Sequence, residues 1–483
     1  MVDGLGLGDA YGTTLERIKT QEGEKAKLAM TTLMWICYSE RPLLVDELCH
    51  ALAVEIGTTH VNNDNVPAAE TLFACCQGLV TVDKEASTAR LIHHTLREYL
   101  CTHHNLFPGS HLVIAGTCLT YLNSEQVKAL PVKPQPDLSS MPFLKYCSRH
   151  WGTHAKRELS DHAKSLAMGL LEQYENHVAA LSLFEQILNL DDSLEANTRA
   201  PFTGLHCASF FGIVDVMTGL LGMDGCGANR GDFAGITPLI WAVRGEHEEA
   251  VELLLRQEAI DPDTPDNDGY TPLSCAAING HESIVKQLSD RQGVNPDKPD
   301  NEGRTRLSWA AYNGYESVVK QLLDKEDVCP DRPDNWGYTP LSRATHNGHE
   351  LVVQKPLDQE DVNPDRADNE GYTSLLWAAI EGHELIVKQL LDREDVNPDK
   401  PDNEGRTPLS WAAGKGHESV VEHLLDREDV NPARPNKNGR IPLWYASRRG
   451  HESIVNLLQA WQPPIPASFG VDELEASLSS SSL

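Results

Sequence analysis

The stretch that decides the fold is NEGRTPLSWAAGKGHESVVEHLLDREDVN, residues 403–431. Its opening letters, NEG, are a turn signal, because glycine adopts positive φ without steric cost. Thr407 is placed to cap a helix, and Pro408 fits the first helical position, where a missing N–H costs nothing. Gly416 predicts a left-handed end to that helix. Residues 420–425 have helical spacing of apolar side chains, so they predict the buried stripe of a second helix.

The same pattern returns at a fixed period along more than half of the chain. The turn glycines lie 34 residues apart (269 − 235, 303 − 269, and so on), at Gly235, Gly269, Gly303, Gly337, Gly371, Gly405 and Gly439. An eighth, degenerate copy begins at Thr203. A single copy cannot bury both of its faces, so the copies must stack into a solenoid with a long binding surface.

The repeated T-P-L-x-x-A motif resembles the ankyrin repeat. The resemblance implies a mainly α fold with an ankyrin-repeat solenoid of about eight units over residues 201–462. It also implies a protein-binding architecture, but it does not identify the partner.

Charge and cysteine content exclude several classes of partner. The 483-residue chain has a formal net charge of −30, and residues 201–462 carry 44 acidic against 25 basic residues. Nucleic-acid and anionic membrane surfaces are therefore disfavoured as partners. The 11 cysteines contain no C-x-x-C pair, and no secretory leader or transmembrane run is present, so we expect a cytoplasmic protein, with the nucleus left open.

Residues 29–105 contain three helical segments and two short alternating strands, which is the pattern of a winged helix. Their motifs resemble the winged-helix segment after the NACHT NTPase domain of fungal NACHT–ankyrin proteins: SERPL (39–43), DELCHAL (46–52), CQGLV (76–80) and RLIHHTLREYL (90–100). The resemblance implies that residues 1–28 are the tail of an NTPase-type module or a linker, and that residues 106–200 are a helical spacer. Residues 463–483 are predicted to be a disordered tail with a short helix at 471–478.

The sequence contains no G-x-x-x-x-G-K-[ST] loop, which would hold nucleotide phosphates. The resemblance therefore implies a protein-interaction module, the sensor arm of a fungal NACHT-type intracellular receptor without its NTPase domain. The alternative is a fragment of a signal-transduction NTPase whose catalytic domain is absent from this chain. DNA binding by the winged helix is disfavoured, because residues 29–105 carry nine acidic and four basic side chains.

No pattern in the sequence indicates catalysis, a cofactor or a metal ion, so we predict a protein that is not an enzyme. The recurring His-Glu pairs lie one period apart and lack H-E-x-x-H spacing, so we assign them to helix starts. The Asp-rich turns, such as residues 263–269, lack the ligands of a calcium loop and are predicted to be solvated hairpins. Trp309, Trp377 and Trp411 share one position of the repeat, which indicates packing between repeats first and ligand stacking second.

Two copies depart from the pattern. Pro356 replaces a core leucine, so we expect its helix to be kinked or shortened and the array to open there first. In the first full copy the order is Arg244-Gly245-Glu246-His247, which predicts a helix cap displaced by one residue.

The predicted contact face combines the residue after each turn glycine with the end of each first helix, because stacking constrains these positions least. Tyrosine and arginine dominate interface hot spots and recur there. The candidate binding residues are Tyr270, Arg304, Tyr312, Tyr338, His346, Tyr372, Arg406, Arg440, Arg448 and Arg449. Arg406, Arg440, Arg448 and Arg449 are predicted to form a basic patch that favours an acidic segment of a protein partner.

Overall fold

A computed structural model describes residues 4–131, 140–187, 202–223 and 225–461. The chain divides into two compact units, Met1–Asn267 and Asp268–Leu483, each of which is described by itself. The predicted tail at 463–483, with its helix at 471–478, lies outside the described residues.

The first part of unit 1 has the predicted winged-helix order of three helices, a two-stranded hairpin and a further helix, after one N-terminal helix. Its elements are Gly4–Lys19 (α1), Lys25–Tyr38 (α2), Val45–Ala53 (α3), Ala69–Cys75 (α4), Val80–Asp83 (β1), Thr88–Leu91 (β2) and His94–Thr102 (α5). Strands β1 and β2 are antiparallel, with Val80 opposite Leu91 and Asp83 opposite Thr88. Helix α1 has one apolar face, on which Leu15 and Ile18 are buried.

Over residues 110–131 and 140–187, which the structure describes, five further α-helices follow: Ser110–Leu122 (α6), Glu125–Lys128 (α7), Leu144–Arg157 (α8), Asp161–Leu171 (α9) and Val178–Ile187 (α10). Aromatic side chains join α8 to the winged helix. Trp35 of α2 meets Phe143 and Tyr146 edge-on, with ring centroids 5.5 and 6.1 Å apart. All three rings are buried, so α2 and α8 share one apolar core.

Unit 1 also contains the first two helix pairs of the repeat region, which are Gly204–Phe211 (α11), Val214–Leu221 (α12), Pro238–Arg244 (α13) and Glu248–Leu255 (α14). The predicted displacement of the α13 cap holds for the helix end, since α13 ends at Arg244 with Gly245 as its cap, but it is wrong for the left-handed residue. Glu246 takes the left-handed conformation with φ of 54°, whereas Gly245 has φ of −84°. The left-handed position therefore stays 34 residues before that of Gly280, and a glutamate occupies it.

Unit 2 consists of six helix pairs in the described residues. They are Pro272–Asn279 (α15) with Glu282–Ser289 (α16), Arg306–Asn313 (α17) with Glu316–Leu323 (α18), Pro340–His346 (α19) with Glu350–Leu357 (α20), Ser374–Glu381 (α21) with Glu384–Leu391 (α22), Pro408–Lys415 (α23) with Glu418–Leu425 (α24), and Pro442–Arg449 (α25) with Glu452–Trp461 (α26). Each first helix packs against the first helices of its neighbours, and each second helix does the same. The predicted helical fold class is confirmed.

The local predictions for residues 403–431 are also confirmed. The Thr407 hydroxyl caps α23 by accepting the N–H of Ser410 at 3.2 Å, and Pro408 occupies the first turn. Gly416 ends α23 with φ of 88°. Val420 and Leu424 are fully buried, so the apolar stripe of α24 forms the core.

The predicted shortening of the helix that contains Pro356 is wrong. Helix α20 has eight residues, the same number as α18, α22 and α24. Pro356 is buried near the end of α20, where the N–H of Asp358 still reaches the Gln354 carbonyl at 3.0 Å. A proline at this position removes only its own hydrogen bond, so the last turn keeps its length.

Candidate protein-binding face

One buried aspartate, three residues before the turn glycine, organises each internal hairpin of unit 2. Asp300 Oδ1 accepts the backbone N–H groups of Glu302 and Arg304 at 3.0 and 2.8 Å, and its Oδ2 accepts the Trp309 indole N–H at 3.1 Å. Asp334, Asp368 and Asp402 hold their hairpins in the same way.

The Asp-rich turns were predicted to be solvated hairpins, and this is wrong for the aspartate that lies three residues before each turn glycine. Asp300 and Asp402 are buried, and so is Asp266 of the 263–269 turn in unit 1. Backbone and side-chain donors replace the water that an exposed carboxylate would bind, so these residues belong to the structural core of the hairpin.

Two candidate arginines are held by these aspartates. The Arg304 guanidinium lies over the Trp309 ring, 4.3 Å from its centroid, while its Nε donates to Asp300 at 2.8 Å. Arg406 repeats the arrangement over Trp411, at 4.2 Å, and donates to Asp402 at 2.7 Å. Since each charge has a buried counterion, these two arginines present guanidinium faces and edges rather than a net positive field.

The two arginines also reach tyrosines of the preceding repeat. Arg304 Nη2 donates to the Tyr270 hydroxyl at 2.9 Å, and Arg406 Nη2 donates to the Tyr372 hydroxyl at 3.3 Å. The structure thus brings together candidate residues that lie 34 positions apart in the sequence, and it fixes their side chains before any partner arrives.

In the copy that follows Arg304, the arginine and the aromatic residue exchange places. Arg343 occupies the position that Trp309 and Trp377 hold one period away, and it pairs with Asp334. Its guanidinium lies 4.2 Å from the ring centroid of Tyr338, the residue after the turn glycine. Arg343 was not among the residues predicted from the sequence, although an arginine at the repeat position of Trp309 and Trp377 could have indicated it.

Trp377 joins three of the candidate residues. His346 stacks on it at 4.2 Å, and the rings of Tyr338 and Tyr372 lie 5.8 and 4.9 Å away. Burial raises the pKa of both tyrosines, so their hydroxyls remain protonated at neutral pH, and burial lowers the pKa of His346. Tyr372 also contacts Trp411 at 6.0 Å, which continues the row.

We call this row the aromatic–arginine ladder. It consists of Arg304, Trp309, Tyr338, Arg343, Tyr372, Trp377, Arg406 and Trp411. Its side chains are partly exposed, apart from the buried edges held by aspartate. Tyr312, which is 39% exposed, meets Trp309 edge-on at 6.0 Å and lies beside the ladder.

The last hairpin is built differently and exposes its arginine. Asn436 replaces the aspartate, and its Nδ2 donates to the Tyr445 hydroxyl at 2.7 Å. Arg440 is exposed and lies 4.2 Å from the Trp444 centroid, which Arg448 approaches at 5.2 Å. Arg449 is exposed too, and in the described part of the chain no ion pair involves these three arginines. No ring contact joins Trp411 to Trp444 within those residues.

The recurring histidines link each repeat to the one before it. His349 Nε2 lies 2.9 Å from the Tyr312 carbonyl oxygen, and His417 Nε2 lies 3.0 Å from that of Ile380. Their predicted structural role at the helix start is confirmed, because His349 and His417 also precede α20 and α24. Across residues 4–131, 140–187, 202–223 and 225–461, no cluster of three or more His, Cys, Asp or Glu side chains is placed to hold a metal ion.

Two family models match different parts of the chain, one the repeat region and the other the N-terminal winged helix. Residues 205–463 match the family model described as "Ankyrin repeats (3 copies)" in overlapping stretches, at 205–300, 279–365, 307–402, 351–434 and 375–463. The chain belongs to the ankyrin-repeat family. Arrays of this family are typically non-catalytic interaction folds, so the repeats of this ankyrin-repeat protein form a protein–protein interaction module.

The N-terminal part of this ankyrin-repeat protein matches a second model. Residues 15–106 are similar to the family described as "GPI inositol-deacylase, winged helix domain". No curated protein matches the chain. Among the helices of the described residues, none has both the length and the apolar composition needed to cross a bilayer.

Proposed function

We propose that this ankyrin-repeat protein recognises a protein partner through the hairpin and first-helix face of its array. The proposed contact residues are Tyr270, Arg304, Tyr312, Tyr338, His346, Tyr372, Arg406, Arg440, Arg448 and Arg449. The observation that carries the proposal is the aromatic–arginine ladder, in which side chains of successive repeats are packed in one row and remain partly exposed. Such residues dominate binding energy when a partner covers them.

The terminal repeat supports an acidic segment on that partner. Residues 430–451 contain five lysines and arginines and no aspartate or glutamate, in a chain whose net charge is −30. Arg440, Arg448 and Arg449 lack carboxylate partners within the described residues, so a partner's carboxylates meet no competing counterion there. Arg406 adds little to this patch, because Asp402 balances its charge.

A matched pair of charge reversals tests this binding surface. Arg448→Glu with Arg449→Glu is expected to abolish capture of an acidic protein partner by the full chain. Lys286→Glu with Lys320→Glu changes the net charge equally, at exposed sites on the second helices α16 and α18, and is expected to leave capture unchanged. Equal loss in both variants, with unchanged melting, would show that net charge rather than this surface controls binding.

We further infer that the chain is the recognition arm of a NACHT-type intracellular receptor, acting in the cytoplasm. A winged helix at residues 15–106 in the same chain as an ankyrin array supports this, together with the motifs that resemble fungal NACHT–ankyrin proteins. In this proposal the NTPase is outside the given sequence and the chain itself is not an enzyme. The alternative is a fragment of a signal-transduction NTPase.

Nucleotide binding by this chain tests the premise that both readings share, which is that the NTPase domain is absent from it. The recognition-arm proposal predicts no saturable binding of ATP or GTP analogues by the chain alone, since it has no phosphate-binding loop. Calorimetric titration with both nucleotides and magnesium measures this directly. Tight, stoichiometric nucleotide binding would contradict both the recognition-arm proposal and the alternative.

A further inference from the structure

The spacing of the aromatic–arginine ladder restricts the shape of its occupant. One ring or guanidinium platform recurs in each repeat, at residues 309, 343, 377 and 411. Neighbouring helices pack at about 8–10 Å, and each first helix of unit 2 contacts the next, so the platforms recur at about that distance. A polyproline II helix rises about 3.1 Å per residue, or about 9.3 Å per three-residue turn.

We propose that the ladder binds a proline-rich segment in the polyproline II conformation, with acidic residues at the end that lies over Arg440, Arg448 and Arg449. This inference rests on the proposed function and specifies the chemistry of its partner. One turn of the segment would then meet one repeat, and about twelve residues would span the distance from Trp309 to Trp444.

Other regular conformations fit this spacing less well. Side chains on one face of an extended strand recur at about 6.6–6.8 Å, and an α-helix has a pitch of about 5.4 Å. A strand would move out of phase with the platforms within one or two repeats, and an α-helix returns side chains to one face about every seven residues, or about 10.5 Å, which is above the spacing of the platforms. Proline-rich segments also suit flat aromatic surfaces, because the ring of proline packs on them and little entropy is lost on binding.

The hydrogen-bonding groups of the ladder match a chain whose carbonyls are unpaired. Tyr372 accepts a hydrogen bond from Arg406, which leaves its own hydroxyl hydrogen to be donated, and Tyr338 likewise donates to no acceptor within the described residues. A polyproline II backbone has no internal hydrogen bonds, so its carbonyls can accept from these hydroxyls. The indole N–H groups of Trp377 and Trp411 are already used by Asp368 and Asp402.

The ladder is also fixed in advance. Asp300 and Asp402 hold the arginines, and the tryptophans lie against them, so binding would order few side chains. Rigid aromatic platforms increase affinity for that reason. The acidic end of the segment is needed because the remaining surface of the array is acidic and would repel it elsewhere.

The test uses the full chain and a fluorescein-labelled peptide of four Pro-Pro-Ala triplets followed by Asp-Glu-Asp. Fluorescence anisotropy is expected to show saturable binding. A peptide with Gly-Ser-Ala triplets and the same acidic end is expected to bind at least about tenfold more weakly, because it has no preformed helix. Replacing the acidic end by Lys-Arg-Lys is expected to abolish binding.

Two protein variants locate the site. Tyr338→Phe with Tyr372→Phe keeps both rings against Trp377 and removes the donors, so affinity should fall about tenfold. The control is Leu351→Ser with Leu385→Ser on the second helices α20 and α22, where other copies carry Ser283, Ser317, Ser419 and Ser453. It should leave affinity unchanged.

Equal binding of the Gly-Ser-Ala peptide, no binding of the proline peptide, or full affinity in the Tyr→Phe variant would each overturn the inference. The proposed function is tested separately from this inference. If the proline peptide does not bind while Arg448→Glu with Arg449→Glu still abolishes partner capture, the array recognises a protein of another chemistry.

Discussion

The internal hairpin at residues 402–411 and the terminal hairpin at residues 436–445 share the same side-chain-to-backbone hydrogen bonds, but an aspartate accepts them in the first and an asparagine in the second. Asn436 Oδ1 accepts the N–H groups of Asn438 and Arg440 at 2.9 Å, as Asp402 Oδ1 does for Glu404 and Arg406. The second side-chain atom is a charged oxygen in Asp402 and an amide nitrogen in Asn436. Arg406 is therefore drawn inward, whereas Arg440 is exposed.

Asp402 has two roles, as the acceptor of the hairpin N–H groups and as the counterion of Arg406, and Asn436 keeps only the first. The hairpin needs only an acceptor oxygen, and the internal ladder needs the charge. An array can therefore keep its fold at its last repeat and still present free arginines there.

The largest expected effect comes from deleting the side chain in each hairpin. Asp402→Ala removes the side-chain oxygen that accepts two backbone N–H groups and leaves Arg406 without its counterion, so we expect a loss of about 3–4 kcal/mol. Asn436→Ala removes only neutral hydrogen bonds at the end of the array and should cost about 1 kcal/mol. Chemical denaturation followed by tryptophan fluorescence measures both. Similar losses would show that the charge of Asp402 contributes little.

Acid should affect the opposite end of the repeat region most. Burial lowers the pKa of His206 from 6.5 to about 4, and this histidine is fully buried in unit 1. As pH falls below 6.5 the unfolded chain takes up the proton first, so stability decreases until about pH 4, by up to about 3 kcal/mol.

A histidine-to-glutamine pair isolates this contribution. His206→Gln should make the pH dependence of melting shallower between pH 6.5 and 4, because the substituted side chain does not titrate. His349→Gln, at a partly exposed site in unit 2, is the control. An unchanged pH profile for His206→Gln would assign acid sensitivity to other groups.

Pro356 provides a contrast between two internal repeats. Helix α20 has proline where α18 has Leu322 and α22 has Leu390. Pro356→Leu restores a hydrogen bond and the leucine of the neighbouring copies, and should stabilise this repeat by about 2 kcal/mol. Hydrogen exchange of residues 352–358 measures the change. Protection already equal to that of residues 420–426 in the natural chain would rule out α20 as the first part of the array to open.

A smaller gain is expected at Glu246. Its left-handed conformation is strained for any side chain with a Cβ, and the corresponding residue in the next repeat is Gly280. Glu246→Gly should raise stability by about 1 kcal/mol in thermal melts. Gly280→Glu is the reciprocal change and should destabilise by more, because a Cβ there would lie 2.7 Å from the Tyr315 ring.

The smallest effect should follow from converting the terminal hairpin into an internal one. Asn436→Asp gives Arg440 a carboxylate partner and should add at most about 1 kcal/mol, since the pair remains near the surface. It should also weaken binding of acidic peptides, which anisotropy titration measures. Unchanged peptide affinity would remove Arg440 from the proposed contact surface.

Sequence predicted the elements of this molecule well, because caps, turns and apolar stripes are local. Thr407, Pro408 and Gly416 act within a few residues of their own positions. The burial of Asp402 was not predictable in this way, because its donors come from a folded hairpin and a tryptophan nine residues away. The exchange of roles between Tyr338 and Arg343 required knowing that the two side chains stack.

The contacts between repeats of unit 2 also determine how such a chain can change length. Asn403 donates to the Asn369 carbonyl, Arg434 to the Asp399 carboxylate, and His417 reaches the Ile380 carbonyl, at separations of 34, 35 and 37 residues. Inserting one residue would move every one of these groups away from its partner. Recombination that copies or deletes a complete 34-residue segment preserves all of them, so genes for such arrays can lengthen or shorten in frame by whole repeats while each product still folds.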